Sequence, residues 1–458
     1  MRRVYETFGL DFFRPEELTL KGHALTLSFM LGDTELKSIT AYRDYKRIVN
    51  GSDLDGGAFS FPLFHTTNEE AQDQFSQEFQ LIGDLSEQSV QYVLGLYYFK
   101  EDSDSINPQI LTPVVGTLPT GEPIIFPVNA VLSYTTDNKS QAAYGQLSYT
   151  PKWLDRLTVT LGARYTEDEK EANLRSAGFK GDESWSDFSP SITVEYMPSD
   201  SLNLYGTVSS GYNSGVFNVR AATQAAFGTP ADAEEVINYE VGIKSQFWDN
   251  RLRFNAAAFW VDYTELQVSQ FQASASGATS VLTNAGEAEI RGIEFELSLI
   301  PLPGLLLDLS YGYTDFEYKE FITSINQVTG VAVDDADSAD PPGPENTASL
   351  SVEYEFGHWD FGWLRGRLGL TYADEISANP FASKVASKKE HTLLDARLTM
   401  SEIPFGAGNV RISIWGKNLT DEEYILRGID FGLASGLGFA GATYSDPRTY
   451  GVDFTYEH

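Results

Sequence analysis

At 458 residues, with 65 acidic and 32 basic side chains for a formal charge of −33, the chain repels a phosphate backbone, which argues against nucleic-acid binding. It has no cysteine, so thiolate metal sites, cysteine nucleophiles and disulfides are all excluded. Its 39 Gly, 24 Tyr, 29 Phe and 7 Trp beside 4 Met suit pleated strands, and no run of about 18 apolar residues encodes a transmembrane helix.

In chain order, the opening Met1-Arg2-Arg3-Val4-Tyr5-Glu6 lacks the apolar stretch of a signal peptide. From Ala24–Leu31 onward the periodicity is two. Within Leu157–Thr166 one face is Leu157, Val159, Leu161, Ala163 and Tyr165, while the other is threonine, glycine and arginine. The same split recurs at Leu305–Thr314, at Leu364, Leu368, Leu370 and Tyr372 against Arg365, Arg367 and Thr371, and at Val410–Ile414. These read as strands with one greasy face and one wet face. Segments such as Glu234–Phe247, Arg251–Gln267 and Ala288–Leu299 match or exceed the roughly 9–11 residues of a tilted membrane-crossing strand.

The connections alternate in length. Short, turn-rich links fall at Gly32–Thr34, Gly83–Gln88, Pro151–Asp155, Pro198–Asp200, Asp249–Asn250, Pro301–Gly304, Gly357–Asp360 and Pro404–Gly408. Long links are expected at Asn50–Gln72, Asp102–Asn138, Lys170–Ser184, Ser214–Ala233, Phe271–Thr283, Lys319–Pro344, Ser377–Lys388 and Leu426–Thr443. Short turns at one end and long loops at the other are the pattern of an outer-membrane barrel. A kelch-type propeller, which also repeats at about 50 residues, would pack four short strands into each repeat. Trp153, Trp248, Trp359 and Trp363 lie at or beside short turns, where a barrel carries its periplasmic aromatic girdle. The polar face carries Arg164, Arg253, Arg365, Arg367, Arg397 and Arg411. Each would cost about 2–4 kcal/mol on a lipid face at the midplane, so the alternation predicts a charged, wet lumen.

Near the end, Asn418-Leu419-Thr420-Asp421-Glu422-Glu423-Tyr424 is followed by Asp446-Pro447-Arg448-Thr449-Tyr450-Gly451. The two stretches resemble the "N-L-T/F-D-x-x-Y" and "P-R-x-Y/F-G" segments of TonB-dependent receptors, carried here by Asn418, Leu419, Thr420, Tyr424, Pro447, Arg448 and Tyr450. Gly211–Asn218 is similar to the same family's "G-Y/F-K-S-G-x-F-N". Ser38–Arg43, Tyr239–Lys244 and Asn284-Ala285-Gly286 with Arg291–Glu294 are also similar, in family order. The resemblance implies a 22-stranded barrel filled by an N-terminal plug, which takes up a ligand with energy delivered by TonB. The implied cargo is most often an iron-siderophore complex, with glycans, cobalamin and aromatic compounds as alternatives. It also implies that the last strand ends on an aromatic residue, whereas here Tyr450, Val452, Phe454 and Tyr456 run on to His458.

No enzyme chemistry is apparent. The histidines His23, His65, His358, His391 and His458 form no H-E-x-x-H or H-x₃₋₅-H pair, and neither a G-x-S-x-G elbow nor a P-loop occurs. The run Asp334–Asp340 could bind calcium but lacks the glycine and terminal glutamate of an EF-hand, so a solvated loop is the plainer reading. In the loop Asp102–Asn138, Ile124-Ile125-Phe126 could touch a ligand or pack over the barrel mouth. The expected fold is therefore all-β, a transmembrane antiparallel barrel forming one domain over 1–458. It is incomplete, with about 17 of 22 strands and with the plug and first strands missing. The expected function is outer-membrane uptake of a scarce nutrient, with lipid, TonB and a ferric siderophore as partners, no cofactor, and the six lumen arginines facing the plug. A passive porin and a soluble propeller are the alternatives.

Overall fold

The structure is a computed structural model that describes residues 16–53, 64–85, 89–112, 114–120, 122–221, 223–274, 277–284, 286–325, 332–378, 380–381, 386–431 and 439–457. The opening Met1–Glu6 and the final His458 lie outside the described residues, as do parts of several long links.

The chain begins with β1 (Glu16–Leu31), β2 (Thr34–Asp53), β3 (Phe64–Leu85) and β4 (Val90–Leu111). A small hairpin of β5 (Val114–Thr117) and β6 (Pro123–Ile125) leads to β7 (Val128–Tyr149), β8 (Leu157–Leu174) and β9 (Phe179–Ser199). After β10 (Leu202–Asn213), a segment holding the one-turn helix α1 (Gln224–Phe227) returns to β11 (Glu234–Phe247) and β12 (Leu252–Thr264). A second hairpin, β13 (Gln267–Ser274) and β14 (Gly277–Asn284), precedes β15 (Ala288–Leu302) and β16 (Leu305–Tyr318). A third, β17 (Ile322–Ile325) and β18 (Ala332–Asp334), precedes β19 (Asn346–Trp359), β20 (Gly362–Ala373), β21 (His391–Phe405) and β22 (Gly408–Lys417). The hairpin β23 (Ile425–Phe431) and β24 (Phe439–Tyr444) comes before β25 (Thr449–Glu457).

Leaving out the four small hairpins, the remaining 17 strands join one antiparallel sheet in chain order. That single wall, with no separate blades, removes the propeller. Among the described residues β1 pairs with β2 alone and β25 with β22 alone, so the wall is open.

Strand register sorts the side chains by polarity. Tyr354, Gly366, Leu398, Ile414 and Val452 lie opposite one another across five strands. The next row, on the other face, is Glu353, Arg367, Arg397, Trp415 and Gly451. Among the described residues the apolar face is left uncovered: Leu161 is 50% exposed, Val241 62% and Val452 68%. A continuous apolar belt of this kind needs lipid against it, and a sheet whose backbone groups are paired can sit there. The belt on β8, Leu157 to Tyr165, is about nine residues deep, as a tilted crossing requires. On the polar face, large rings lie over glycines of the facing strand. Tyr144 covers Gly95, Tyr205 covers Gly242, Phe259 covers Gly292 and Trp415 covers Gly451, each in the space a Cβ would take. The high glycine content thus serves close cross-strand packing.

Seven of the eight expected short links carry turns at one end of the wall, and in the eighth, Gly83–Gln88, residues 86–88 lie outside the described residues. Three of the long links are shorter than expected, whereas Ser214–Ala233 fills the gap between β10 and β11 as expected. Lys170–Ser184 is mostly strand, because β8 runs to Leu174 and β9 starts at Phe179. Asn50–Gln72 and Asp102–Asn138 likewise lose their flanks to β2, β3, β4 and β7. The three strands of 22 residues extend about 70 Å if straight, well beyond an apolar layer of about 25 Å.

Candidate functional site

The end of the wall opposite the short turns forms a mouth, and the quoted motif residues gather there. Asn418, 7% exposed and at φ 50°, follows the end of β22. Its side-chain amide donates to the Glu422 and Asp446 carbonyls at 2.9 and 3.3 Å and accepts from the Glu422 N–H at 2.8 Å. Its own N–H reaches Asp395 at 2.8 Å. Arg448 returns to Asp421 and to the Leu419 carbonyl, each at 3.4 Å, and Thr420 donates to the Thr392 carbonyl at 3.2 Å. The two motifs, some twenty residues apart, therefore brace one corner between β21, β22 and β25. Tyr424 stacks on His391 with ring centroids 4.0 Å apart. Pro447 leads Arg448 into β25, where Tyr450 is 68% exposed on the apolar face.

The six arginines all lie on the polar face; Arg367 and Arg397 are direct cross-strand neighbours, whereas Arg164 and Arg253 lie on the distant strands β8 and β12. Arg164 lies over the Tyr97 and Tyr144 rings at 5.5 and 5.7 Å. Arg253 sits on β12 between Gln246 and Ser298. Arg365 pairs with Glu353 at 3.2 Å and lies over the Trp363 ring. Arg367 donates to Ser351 at 3.0 Å, Arg397 pairs with Asp453, and Arg411 pairs with Glu457. Sequence reading missed their surroundings, including Tyr144 donating to Glu78, Tyr205 to Glu240, and Lys244 over the Tyr205 ring. The glycines facing Tyr144 and Tyr205 were the available signal.

Two apolar clusters cover the inner face near the mouth. Phe217, of the Gly211–Asn218 motif, joins Phe227, Ala172, Leu174 and Ala221, with Phe227 fully buried. Lys170 donates to the Gly215 carbonyl at 2.7 Å, and burial there pushes its pKa down. Beside the root of the β13–β14 hairpin, Phe321 is fully buried against Ala288 and Tyr318, with Phe381 edge-on at 5.0 Å. Asp334 accepts from the Phe321 and Ala336 N–H groups at 2.9 and 3.1 Å, so the aspartate run braces its own loop. Among the described residues no group of three histidine or carboxylate side chains is arranged to hold a metal ion.

The tryptophan girdle needs one correction. Trp153, Trp248 and Trp359 are 81%, 67% and 42% exposed beside short turns. Trp363 instead shares the polar face with Arg365, because Leu364 takes the apolar face next to it. Ile124, Ile125 and Phe126 are exposed, and Phe126 reaches 64%. A row that the sequence did not suggest lies outside the wall above the belt: Asp44, Asp73, Asp102, Asp137, Glu171 and Asp182 are direct cross-strand neighbours. Five of them line a cavity of about 630 Å³, and Lys100 beside Asp102 holds that carboxyl below the usual carboxylate range.

A family model described as "TonB dependent receptor-like, beta-barrel" matches residues 4–419. The pesticin receptor of Yersinia pestis is 27% identical over 183 residues, which are 39% of this chain and 26% of that protein. A probable TonB-dependent siderophore receptor, PiuA, of Acinetobacter baumannii is 23% identical over 346 residues, 72% of this chain and 43% of that protein. The solved ferric yersiniabactin uptake receptor FyuA from Yersinia pestis superposes with a TM-score of 0.71 at 20% identity, over 96% of this chain and 61% of that one. The chain thus spans less than two-thirds of the length of each of these relatives.

Proposed function

Because this chain belongs to the TonB-dependent receptor-like β-barrel family, we propose that it is the larger part of the wall of a Gram-negative outer-membrane importer whose cargo is a ferric siderophore. The observation that carries this reading is the family match over 4–419 on a wall whose outward face is an unbroken apolar belt. Relatives and structural neighbours are receptors and transporters.

Strand direction supports a wall completed by further strands. With 17 strands, β1 and β25 run the same way, so an all-antiparallel closure takes an odd number of additional strands between them. We assign the closing strands, a plug and the TonB contact to other parts of the same importer. The polar face then meets the plug. Arg164, Arg253, Arg365, Arg367, Arg397 and Arg411 are its candidate contacts, each already steadied by a wall neighbour or placed between polar ones.

The test is ⁵⁵Fe uptake from ferric yersiniabactin and ferric citrate by iron-starved cells carrying the complete gene, with and without TonB. TonB-dependent uptake of either supports the reading. Equal uptake without TonB, together with a constitutive ion current in planar bilayers, would establish a passive porin instead. TonB-dependent binding without iron uptake would move the cargo to another nutrient class.

A further inference from the structure

The segment between β10 and β11 and the β13–β14 hairpin belong to links two wall strands apart, yet side-chain amides join their backbones. Asn218, 6% exposed, accepts from the Leu282 N–H at 2.7 Å and donates to the Leu282 carbonyl at 3.0 Å. One amide side chain thereby stands in for a pair of ladder hydrogen bonds. Asn284 reaches the opposite way, accepting from the Asp232 N–H at 2.7 Å and donating to the Asp232 and Glu265 carbonyls at 3.1 and 2.7 Å. Gln267 donates from its side chain to the Ser214 and Asp232 carbonyls at 3.2 and 2.8 Å, and from its N–H to Glu234 at 2.8 Å. All three tie the root of the hairpin.

The first segment is itself seated on the wall. Phe217 and Phe227 stack with centroids 5.5 Å apart over Ala172 and Leu174 of β8, and Trp185 of β9 meets Phe217 edge-on at 6.4 Å. Lys170 holds the Gly215 carbonyl from below. At the other end, β14 rests against β4 and β7.

We propose that residues 214–233 and the β13–β14 hairpin form one strap across the mouth, with Asn218, Gln267 and Asn284 as positioning residues that stop the hairpin from hinging at its root. A bend there breaks bonds from all three amides together. The strap therefore leaves its place by peeling Phe217 and Phe227 from the inner face of β8 and β9 together with Val268 of β13 from the Phe321 cluster. If the chain is an importer, as proposed above, cargo enters beside the strap, over the side of the mouth formed by β16–β25.

Amide hydrogen exchange on the full chain in detergent micelles tests this without any nutrient. Asn218→Ala is expected to speed exchange of the Leu282 amide on the order of tenfold, and Asn218→Asp, which keeps the acceptor, to restore its protection. Phe227→Leu, remote from the hairpin, is expected to speed exchange at Leu282 as well as within 214–231. Unchanged protection at Leu161 reports an intact wall. Should Phe227→Leu disturb it, Lys170→Gln, which removes the tie to Gly215 and the cation over the Trp185 ring, gives the same readout. A variant that loosens 214–231 while Leu282 keeps its parent protection overturns the strap, as does an Asn218→Ala protein with unaltered Leu282 exchange. Neither outcome bears on iron uptake, so this proposal and the importer reading fail separately.

Discussion

The two flanks of the wall solve the same problem differently. From β2 to β9 its strands run 18–22 residues, whereas from β10 to β25 they run 9–15. On the tall flank the hydrogen-bonded ladder continues above the lipid belt while the side-chain pattern changes. Outward Leu157–Tyr165 on β8 gives way to Glu167, Glu169 and Glu171 on the same face. On the low flank the strands stop and the links fold inward, burying Phe321. Apolar alternation is thus a requirement of lipid contact alone, and strand pairing outlasts it.

The comparison can be broken at four places. The largest expected effect comes from emptying the two inner clusters: Phe227→Ala and Phe321→Ala should each cost about 3–5 kcal/mol of local stability. Exchange should rise near 214–231 for the first and near 318–340 for the second, and spread of either across both flanks would show one cooperative unit. Next, Leu161→Arg and Glu169→Arg place the same charge on one face of one strand. The first should cost about 2–4 kcal/mol in lipid-based unfolding and the second less than about 0.5 kcal/mol. Equal costs would remove the belt boundary drawn at Tyr165. Third, Glu171 faces Asp137 and Asp182 directly, an unfavourable like-charge arrangement. Glu171→Gln should gain a few tenths of a kcal/mol at low salt and about nothing in 1 M salt, where screening is nearly complete. The smallest effect concerns His391, whose pKa burial holds below the ordinary 6.5. Its folded form prefers the neutral ring, so stability at this corner is full above pH 6.5 and falls as pH drops toward the folded pKa. Protection factors around 386–391, corrected for the intrinsic pH dependence of amide exchange, should fall between pH 7.5 and 5.5, and His391→Gln should abolish that fall.

Much of the wall was legible in the sequence. The short turns, the two faces and the count of about 17 strands all follow from period-two patterning bounded by Pro, Gly, Asp and Asn. The upper tall flank was not. Lys170–Ser184 reads as a loop because both faces are wet there, and only the pairing of β8 with β7 and β9 makes its two flanks strand. Trp363 was legible and misjudged, since its alternation with Leu364 already placed it with the arginines. The corner around Asn418 and Arg448 was visible as a motif, but its partners Asp395 and Thr392 lie on another strand. The strap was out of reach, because an asparagine gripping a distant backbone leaves no periodic trace.

The open edges have a consequence for assembly. β1 exposes 16 residues, Leu25, Leu27 and Phe29 among them, and such an edge is a template for further pairing. Two copies meeting β1 to β1 would pair antiparallel about a two-fold axis and still leave both β25 edges bare. A β1-to-β25 meeting would be parallel, head to tail, and repeatable without limit. Until those edges are covered, symmetry alone makes the wall a monomer of a ribbon, and the order in which its seams are sealed decides between a pore and an aggregate.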